Sequence, residues 1–443
     1  MKVLKFGGTS VGTPQRMCDV ARLVTAGSER KIIVLSAMSG TTNVLIEISS
    51  LLYNGDSKGA LSAIAALHGK YKGHVDSLYR SEESKEKVNA YISEQFDYLR
   101  SFTKDVFTPH EEKVVVSFGE LLSTFMFVTL LEEMGHTPVM LRALDFMRTD
   151  THGEPDVDYI SSKLIHLLDA HGDSPLFVTQ GFICRNAYGE VDNLKRGGSD
   201  YTASLIGAAC GAEEIQIWTD IDGMHDNDPR VVDETAPVRN LHFDEAAELA
   251  YFGAKILHPT CILPAKHANI PVRLLNTMQP EAEGTLISNR TERHKIKAVA
   301  AKDNITAIRI KSSRMLLAHG FLRKVFEIFE SYRTPIDMIC TSEVGVSLTV
   351  DDTSSLDEIV ADLQRYGAVT VNRDMCIVCV VGDLDWRNVG FEAAAMDAMR
   401  DIPTRMISFG GSDCNISFLI REEDKARTLR ALSANLFNHT VKF

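Results

Sequence analysis

Lys5, Gly7, Gly8 and Ser10 crowd the end of the opening run MKVLKFGGTSVG, and these residue types at this spacing can hold an anion. Val3 to Phe6 has β-strand character, two glycines and a Thr-Ser pair follow, and Pro14 opens a helical pattern with Met17, Val20, Ala21, Leu23 and Val24 on one face. A turn bare of side chains lets backbone N–H groups approach a phosphate. The helix N-terminus adds partial positive charge there, and Lys5 can add a full one. Spacing alone leaves a plain structural turn open. The pattern G-x-G-x-x-G is absent from this turn and G-x-x-x-x-G-K-[ST] from the whole chain, so a phosphate site here matches neither of those fingerprints.

Three other stretches carry groups that could do chemistry. Glu120 is stranded in the apolar run VVVSFGELLSTFMFVTLL, where a carboxylate needs either a partner from the core or a ligand. Lys195 and Arg196 precede Gly-Gly-Ser199-Asp200 at the mouth of a helix over Thr202 to Cys210, a second anion-accepting entrance in which Arg196 offers a planar fork. A solvated loop with Ser or Asp as the N-cap is equally open. Lys255 sits beside apolar residues in FGAKILHP. The acidic stretch Asp220 to Asp228 superficially suits calcium, but Met224 and His225 stand where an EF-hand loop needs a ligand and a glycine.

Positioning these groups takes more than one core, because a chain of 443 residues is too long for a single one. Apolar residues at 44% and charged ones at 24% describe an ordinary globular chain, and the net charge of 47 − 60 = −13 argues against nucleic acid or an anionic membrane as partner. The longest apolar runs, such as Leu121 to Leu131, fall short of the roughly 20 residues that span a bilayer. No signal-peptide pattern opens the chain, so a cytoplasmic location is expected. Cys376 and Cys379 form a CxxC within a strand-like run, where residues three apart face opposite sides, so a buried structural role is expected instead of a metal site.

Strand and helix signals alternate over about 290 residues: Lys31 to Leu35, Thr137 to Leu141, Leu176 to Gln180, Ile215 to Trp218 and Val272 to Leu275 read as strands, with a charged helical hairpin over 56–104. This alternation predicts an α/β domain with a mostly parallel central sheet. After a charged stretch near Thr291 to Lys297 the elements shorten and a repeat appears. Ile336 to Cys340 with Val346 to Val350 recurs as Thr404 to Ser408 with Ile416 to Ile420, at offsets of 68 and 70 residues. Helical patterns precede and follow each copy, giving a twice-repeated α+β module.

Seven motifs in one order resemble those of the aspartate kinases: KFGGTSV at 5–11, LSAMSGTTN at 35–43, SFGELLST at 117–124, KRGGSDYTA at 195–203, WTDIDG at 218–223, DPRVV at 228–232 and FGAKILHP at 252–259. The C-terminal repeat resembles a pair of ACT modules, and MLLAHGFL at 315–322 with TSEV at 341–344 is similar to the single-function, lysine-sensitive branch. The resemblance implies an amino acid kinase (carbamate kinase-like) sandwich over 1–292. Two ferredoxin-like ACT modules would fill 293–443, one over about 312–376 and the other over about 297–311 plus 377–443.

It also implies ATP-dependent phosphorylation of the L-aspartate side-chain carboxylate, the first step towards lysine, threonine and methionine. Such a carboxylate, with a pKa of about 3.9, is ionised at neutral pH and needs no general base, so catalysis reduces to alignment and charge neutralisation. By the same resemblance Lys5 and Lys255 neutralise the transferring group and Asp200 holds both lysines. Glu120 takes the substrate ammonium and Arg196 its α-carboxylate, with Ser36, Thr42, Phe182 and Ser199 alongside. The nucleotide, arriving with Mg²⁺, would meet Lys5, Phe6, Gly7, Gly8, Ser10, Thr219, Asp220, Arg230 and Lys255; His225 stands where the family commonly has a Tyr near the adenine, so stacking there is weaker or absent. No dedicated metal ligands are implied. An amino-acid effector, lysine above others, would contact Met315, Gly320, Phe321, Leu322, Asp337, Thr341, Ser342 and Glu343 at an interface that makes a homodimer or larger assembly. Asp337 and Glu343 as solvated strand-end acids is the open alternative. Two competing functions are a glutamate-type amino acid kinase and a catalytically silent ACT sensor.

Overall fold

The computed structural model describes residues 1–172, 174–194, 197–253, 258–312 and 319–437. Two compact units divide the chain: Met1–Met224 with Leu257–Asn289, and His225–Ile256 with Arg290–Phe443.

The first unit opens with β1 (Lys2–Phe6), the glycine turn and α1 (Pro14–Thr25). The Thr13 hydroxyl accepts the Arg16 N–H to cap α1, and Pro14 occupies a first-turn position where its missing N–H is no loss. All five residues of β2 (Lys31–Leu35) are buried, as a strand covered on both faces must be. Helices α2 (Thr41–Tyr53), α3 (Ser57–Leu78), α4 (Glu82–Ser101) and α5 (Pro109–Glu133) follow, α3 and α4 forming the expected hairpin. A capping box between Thr108 and Glu111 starts α5. By length and composition α5 could cross a membrane, yet 83% of its most apolar stretch is buried inside the protein. It is a core helix.

Next come β3 (Val139–Leu141), α6 (Ala143–Phe146), α7 (Val157–Ala170), β4 (Leu176–Gln180), the hairpin of β5 (Ile183–Arg185) and β6 (Val191–Asn193), α8 (Gly198–Cys210) and β7 (Glu214–Thr219). After β8 (Asn240–His242) and α9 (Phe243–Tyr251), which belong to the second unit, the chain returns to the first with α10 (Leu263–His267), β9 (Val272–Asn276) and β10 (Thr285–Ser288). The strands of the first unit lie in the order β3-β4-β2-β1-β7-β9-β10, all neighbours parallel except β10 against β9. The expected mostly parallel sheet is therefore present. Phe6 pairs in register with Leu35 and Trp218, and Leu35 with Gln180, so β1, β2, β4 and β7 end at one edge. The crevice beyond such carboxyl ends is where open α/β sheets take their ligands.

The second unit is built on two long antiparallel strands, β11 (Ile296–Lys311) and β14 (Ala368–Gly382). Their register shifts between Lys302 and Ile305, where Asn304 and Asp374 adopt positive φ. The bend splits each strand between two modules. Residues 305–311 lie between 368–375 and β13 (Gly345–Val350), with β12 (Ile339–Ser342), α11 (Phe321–Ser331) and α12 (Leu356–Gln364) completing the first module. Residues 296–302 lie beside 377–382 in the second, with β16 (Asn415–Arg421), β15 (Met406–Phe409), α13 (Phe391–Ala398) and α14 (Lys425–Leu436). β11 thus lends residues 305–311 to one set of strands and 296–302 to the other. β12 begins at Ile339, and ahead of it the pairing with β13 continues irregularly: Asp337 N–H donates to the Thr349 carbonyl at 2.9 Å, Thr349 N–H to the Met338 carbonyl at 3.0 Å, and Met338 N–H to the Thr349 hydroxyl at 3.0 Å. Cys376 and Cys379 are both fully buried on β14.

Candidate active site

Four strand ends of the first unit supply the site. At the end of β1, Lys5 Nζ lies 2.6 Å from Asp200 Oδ1, both side chains being largely covered, at 11% and 14% exposure. Asp200 sits in the first turn of α8, where the helix dipole favours a carboxylate. A carboxylate held at both its lysine and its helix end fixes the ammonium in space. A methyl group on Gly7 would lie 3.7 Å from Lys5 Nζ, so the ammonium folds back over the glycine turn. Cation and bare backbone converge there.

Gly8 packs tightly, because a Cβ would come 2.7 Å from the Ala37 carbonyl oxygen, and Ser39 N–H donates to the Gly8 carbonyl at 3.1 Å. The turns after β1 and β2 are thereby fastened together. Gly8→Ala is expected to lower stability by about 1–3 kcal/mol, read by chemical denaturation, because backbone must shift to admit the methyl. Ser36 begins the turn after β2, its N–H donating to the Phe6 carbonyl, and Thr42 lies in the first turn of α2.

Glu120, from α5, reaches this second turn. Gly119 lets the helix approach, since a Cβ there would come 2.6 Å from Ala37 Cβ. Ala37 N–H donates to Glu120 Oε1 at 3.1 Å, while Oε2 is buried with no hydrogen-bond partner among the described residues. Burial pushes the carboxyl up to about 8, opposed by the Ala37 N–H and by the nearby charge of Lys5. An orphaned buried oxygen of this kind calls for a donor from a ligand.

At the end of β4, Phe182 holds a left-handed backbone at φ 67° and donates its N–H to Thr202 Oγ1 at 2.9 Å. Its ring covers Gly198 at the start of α8, and Ser199 presses against Gly181, both too close for a Cβ on either glycine. A non-glycine residue in this conformation persists only where the surroundings enforce it, as at ligand sites. At the end of β7, Thr219 Oγ1 donates to Asp220 Oδ1 at 3.1 Å, and Asp220 is exposed.

Other expected positions fall differently. Phe6 is fully buried and stacked on Trp218, leaving only its backbone for a ligand. Ser10 is also fully buried, its hydroxyl 2.7 Å from Thr277 Oγ1 and turned into the protein. His225 and Arg230 belong to the second unit; there His225 Nδ1 lies 2.8 Å from Thr235 Oγ1, and exposed Arg230 grips Asp228 through two nitrogens at 2.9 and 2.8 Å. Lys255, Arg196 and Met315 lie outside the described residues. Ala37, Gly119 and Gly181 were not anticipated; the glycines' burial between elements carries no sequence pattern.

Of the effector candidates, Gly320 takes φ 80° as N-cap of α11, Phe321 is buried, and Leu322 packs on the module's core. Thr341, Ser342 and Glu343 are exposed at the end of β12. The Asp337 side chain is only 1% exposed, with Oδ1 2.7 Å from Lys302 Nζ and 2.8 Å from the Tyr251 hydroxyl. It is no solvated strand-end acid. Burial raises its carboxyl above the usual range, against the pull of Lys302.

The amino acid kinase family description matches residues 1–276, and an ACT domain description matches residues 378–436. Lysine-sensitive aspartokinase 3 of Escherichia coli is 33% identical over 98% of this chain and 99% of that protein. The structure of E. coli aspartokinase III with aspartate and ADP, described as the R-state, superposes with a TM-score of 0.84 at 32% identity, covering 99% of this chain and 100% of that one. The same enzyme with lysine and aspartate, described as the T-state, gives 0.81 at 33% identity, covering 99% of each.

Proposed function

We propose, on the premise that this chain belongs to the aspartokinase family, that it transfers the γ-phosphoryl group of ATP to the side-chain carboxylate of L-aspartate and is restrained by lysine. The observation that carries the catalytic half is the Lys5–Asp200 pair folded over the glycine turn, beside a buried Glu120 oxygen that has no donor among the described residues.

The substrate's attacking carboxylate is already charged, so the protein supplies no base. The Gly7 and Gly8 backbone and Lys5 hold the phosphates, and Asp200 keeps the ammonium aimed at the transferring group. Mg²⁺ is treated as part of the nucleotide substrate and adds charge neutralisation at the phosphates. Glu120 accepts the aspartate ammonium through Oε2, and Ser36, Thr42, Phe182, Ser199 and Arg196 shape the remaining pocket. Lys255 as a second cation, and Thr219, Asp220, His225 and Arg230 as nucleotide contacts, complete the proposed roles. Regulation belongs to the ACT modules, with lysine at Asp337 and its neighbours. Association into a homodimer or larger assembly is proposed through the exposed edge at residues 341–344. A cytoplasmic location accords with an acidic chain whose long apolar helix is buried.

Hydroxylamine trapping tests the activity. With ATP, Mg²⁺ and aspartate the enzyme is expected to yield aspartyl hydroxamate, little product with glutamate, and less when lysine is added. Absence of hydroxamate with aspartate overturns the reading.

A further inference from the structure

Helix α9 ends at Tyr251, and two bonds fasten that end to the regulatory sheet. The Tyr251 hydroxyl donates to Asp337 Oδ1 at 2.8 Å, and Lys302 Nζ, 2.7 Å from the same oxygen, stands 4.4 Å from the centre of the Tyr251 ring. Lys302 also pairs with Asp351 at 2.9 Å. Two residues beyond Tyr251, Gly253 adopts φ +120° against the Ala301 carbonyl, where any Cβ would collide. Ala301 and Lys302 are neighbours on β11. The stretch leaving α9 is thus held to Asp337 by a hydroxyl, and to one point of β11 by a cation over a ring and a close backbone approach. In sequence it runs directly into Lys255.

Asp337 has one more feature. Its Oδ2 is buried without a hydrogen-bond partner among the described residues. Two carboxylates, Asp337 and Asp351, share the one cation Lys302 among the described residues, so the cluster has both charge and an acceptor to spare for a second ammonium.

We propose that Tyr251 is the positioning residue through which an amino-acid effector, its ammonium on Asp337 Oδ2, acts on the segment that carries Lys255. The inference rests on the reading of Asp337 as an effector carboxylate. An ammonium on Oδ2 draws on the same carboxylate charge that holds the Tyr251 hydroxyl, and it sets a like charge beside Lys302. Both effects loosen the end of α9. Among the described residues, no other polar group bonded to Asp337 Oδ1 links that oxygen to α9.

Tyr251→Phe in the full-length enzyme keeps the ring over Lys302 and removes only the hydroxyl. Lysine titrated calorimetrically, with and without saturating aspartate, measures binding and coupling separately. Allosteric factors commonly run from about 5- to 150-fold and are reciprocal between two ligands. The expected result is lysine affinity in the absence of aspartate within about threefold of wild type, a kcat without lysine lowered towards that of the lysine-inhibited wild type, and a coupling factor reduced about tenfold. Wild-type coupling in Tyr251→Phe overturns the inference while leaving lysine as effector. Wild-type protein that binds no lysine, or Asp337→Asn that binds it as tightly as wild type, overturns the effector reading and the inference with it.

Discussion

Lys5→Met is expected to leave a folded enzyme whose kcat falls by about 10³-fold, because in the proposed role of Lys5 the charge facing the transferring phosphoryl group is gone while the sheet beneath it is unchanged. Lys5 lies on a strand paired in register on both sides, so the strand stays in place without the ammonium, although Asp200 loses its partner. Asp200→Asn is expected to be milder, at about 10²-fold or less, since the ammonium stays but is no longer aimed. Steady-state kinetics of the two variants beside the wild type distinguishes supplying charge from directing it. Equal losses would mean that Asp200 acts on the reaction directly.

Glu120→Gln trades affinity for stability. Removing the charge that receives the substrate ammonium should raise the KM for aspartate about 10²-fold, the usual scale for a buried charged hydrogen bond. Binding should also carry a pH signature. The free enzyme holds a proton on Glu120 up to about 8, so aspartate binding strengthens roughly tenfold for each pH unit towards 8 and levels off above it. Glu120→Gln should lack that slope. For folding the sign is opposite. The folded protein keeps this proton to about 8, while the unfolded chain releases it near 4.5. The folded state therefore binds the extra proton, and stability falls as pH rises across that window. Glu120→Gln should match wild type near pH 4. Above pH 8 it should exceed wild type by a few kcal/mol, because each tenfold difference in proton affinity between the folded and unfolded chain is worth about 1.4 kcal/mol. Denaturation melts at the two pH values decide this; a variant less stable than wild type at high pH contradicts the account of a buried, unsatisfied carboxylate.

The glycine turn and Glu120 were legible in the sequence for the same reason: each breaks a local pattern that burial enforces. Two glycines end a strand, and one acid interrupts an apolar helix. The parallel sheet was legible through continuous apolar runs such as Ile32 to Leu35. What escaped depends on contacts between distant residues. Nothing local in residues 225–256 marks them as partners of the C-terminal modules, yet Val299 N–H donates to the Asp226 carbonyl at 2.8 Å and Lys297 Nζ to the Asn240 carbonyl at 3.0 Å. Tyr251 and Lys302 were silent for the same reason, each an ordinary surface type until the fold sets both against Asp337. Ser10 shows the converse, since a hydroxyl beside a glycine turn looks available until Thr277 takes it.

In the proposed site one ammonium, that of Lys5, and one buried acid, Glu120, hold the two substrates end to end. A crystal structure with a non-hydrolysable ATP analogue, Mg²⁺ and aspartate tests it most directly. The expected result is Lys5 Nζ within about 3 Å of a γ-phosphate oxygen and the aspartate ammonium at the same distance from Glu120 Oε2. A terminal phosphate bound away from the Gly7 turn, or an aspartate whose ammonium points elsewhere, would contradict it.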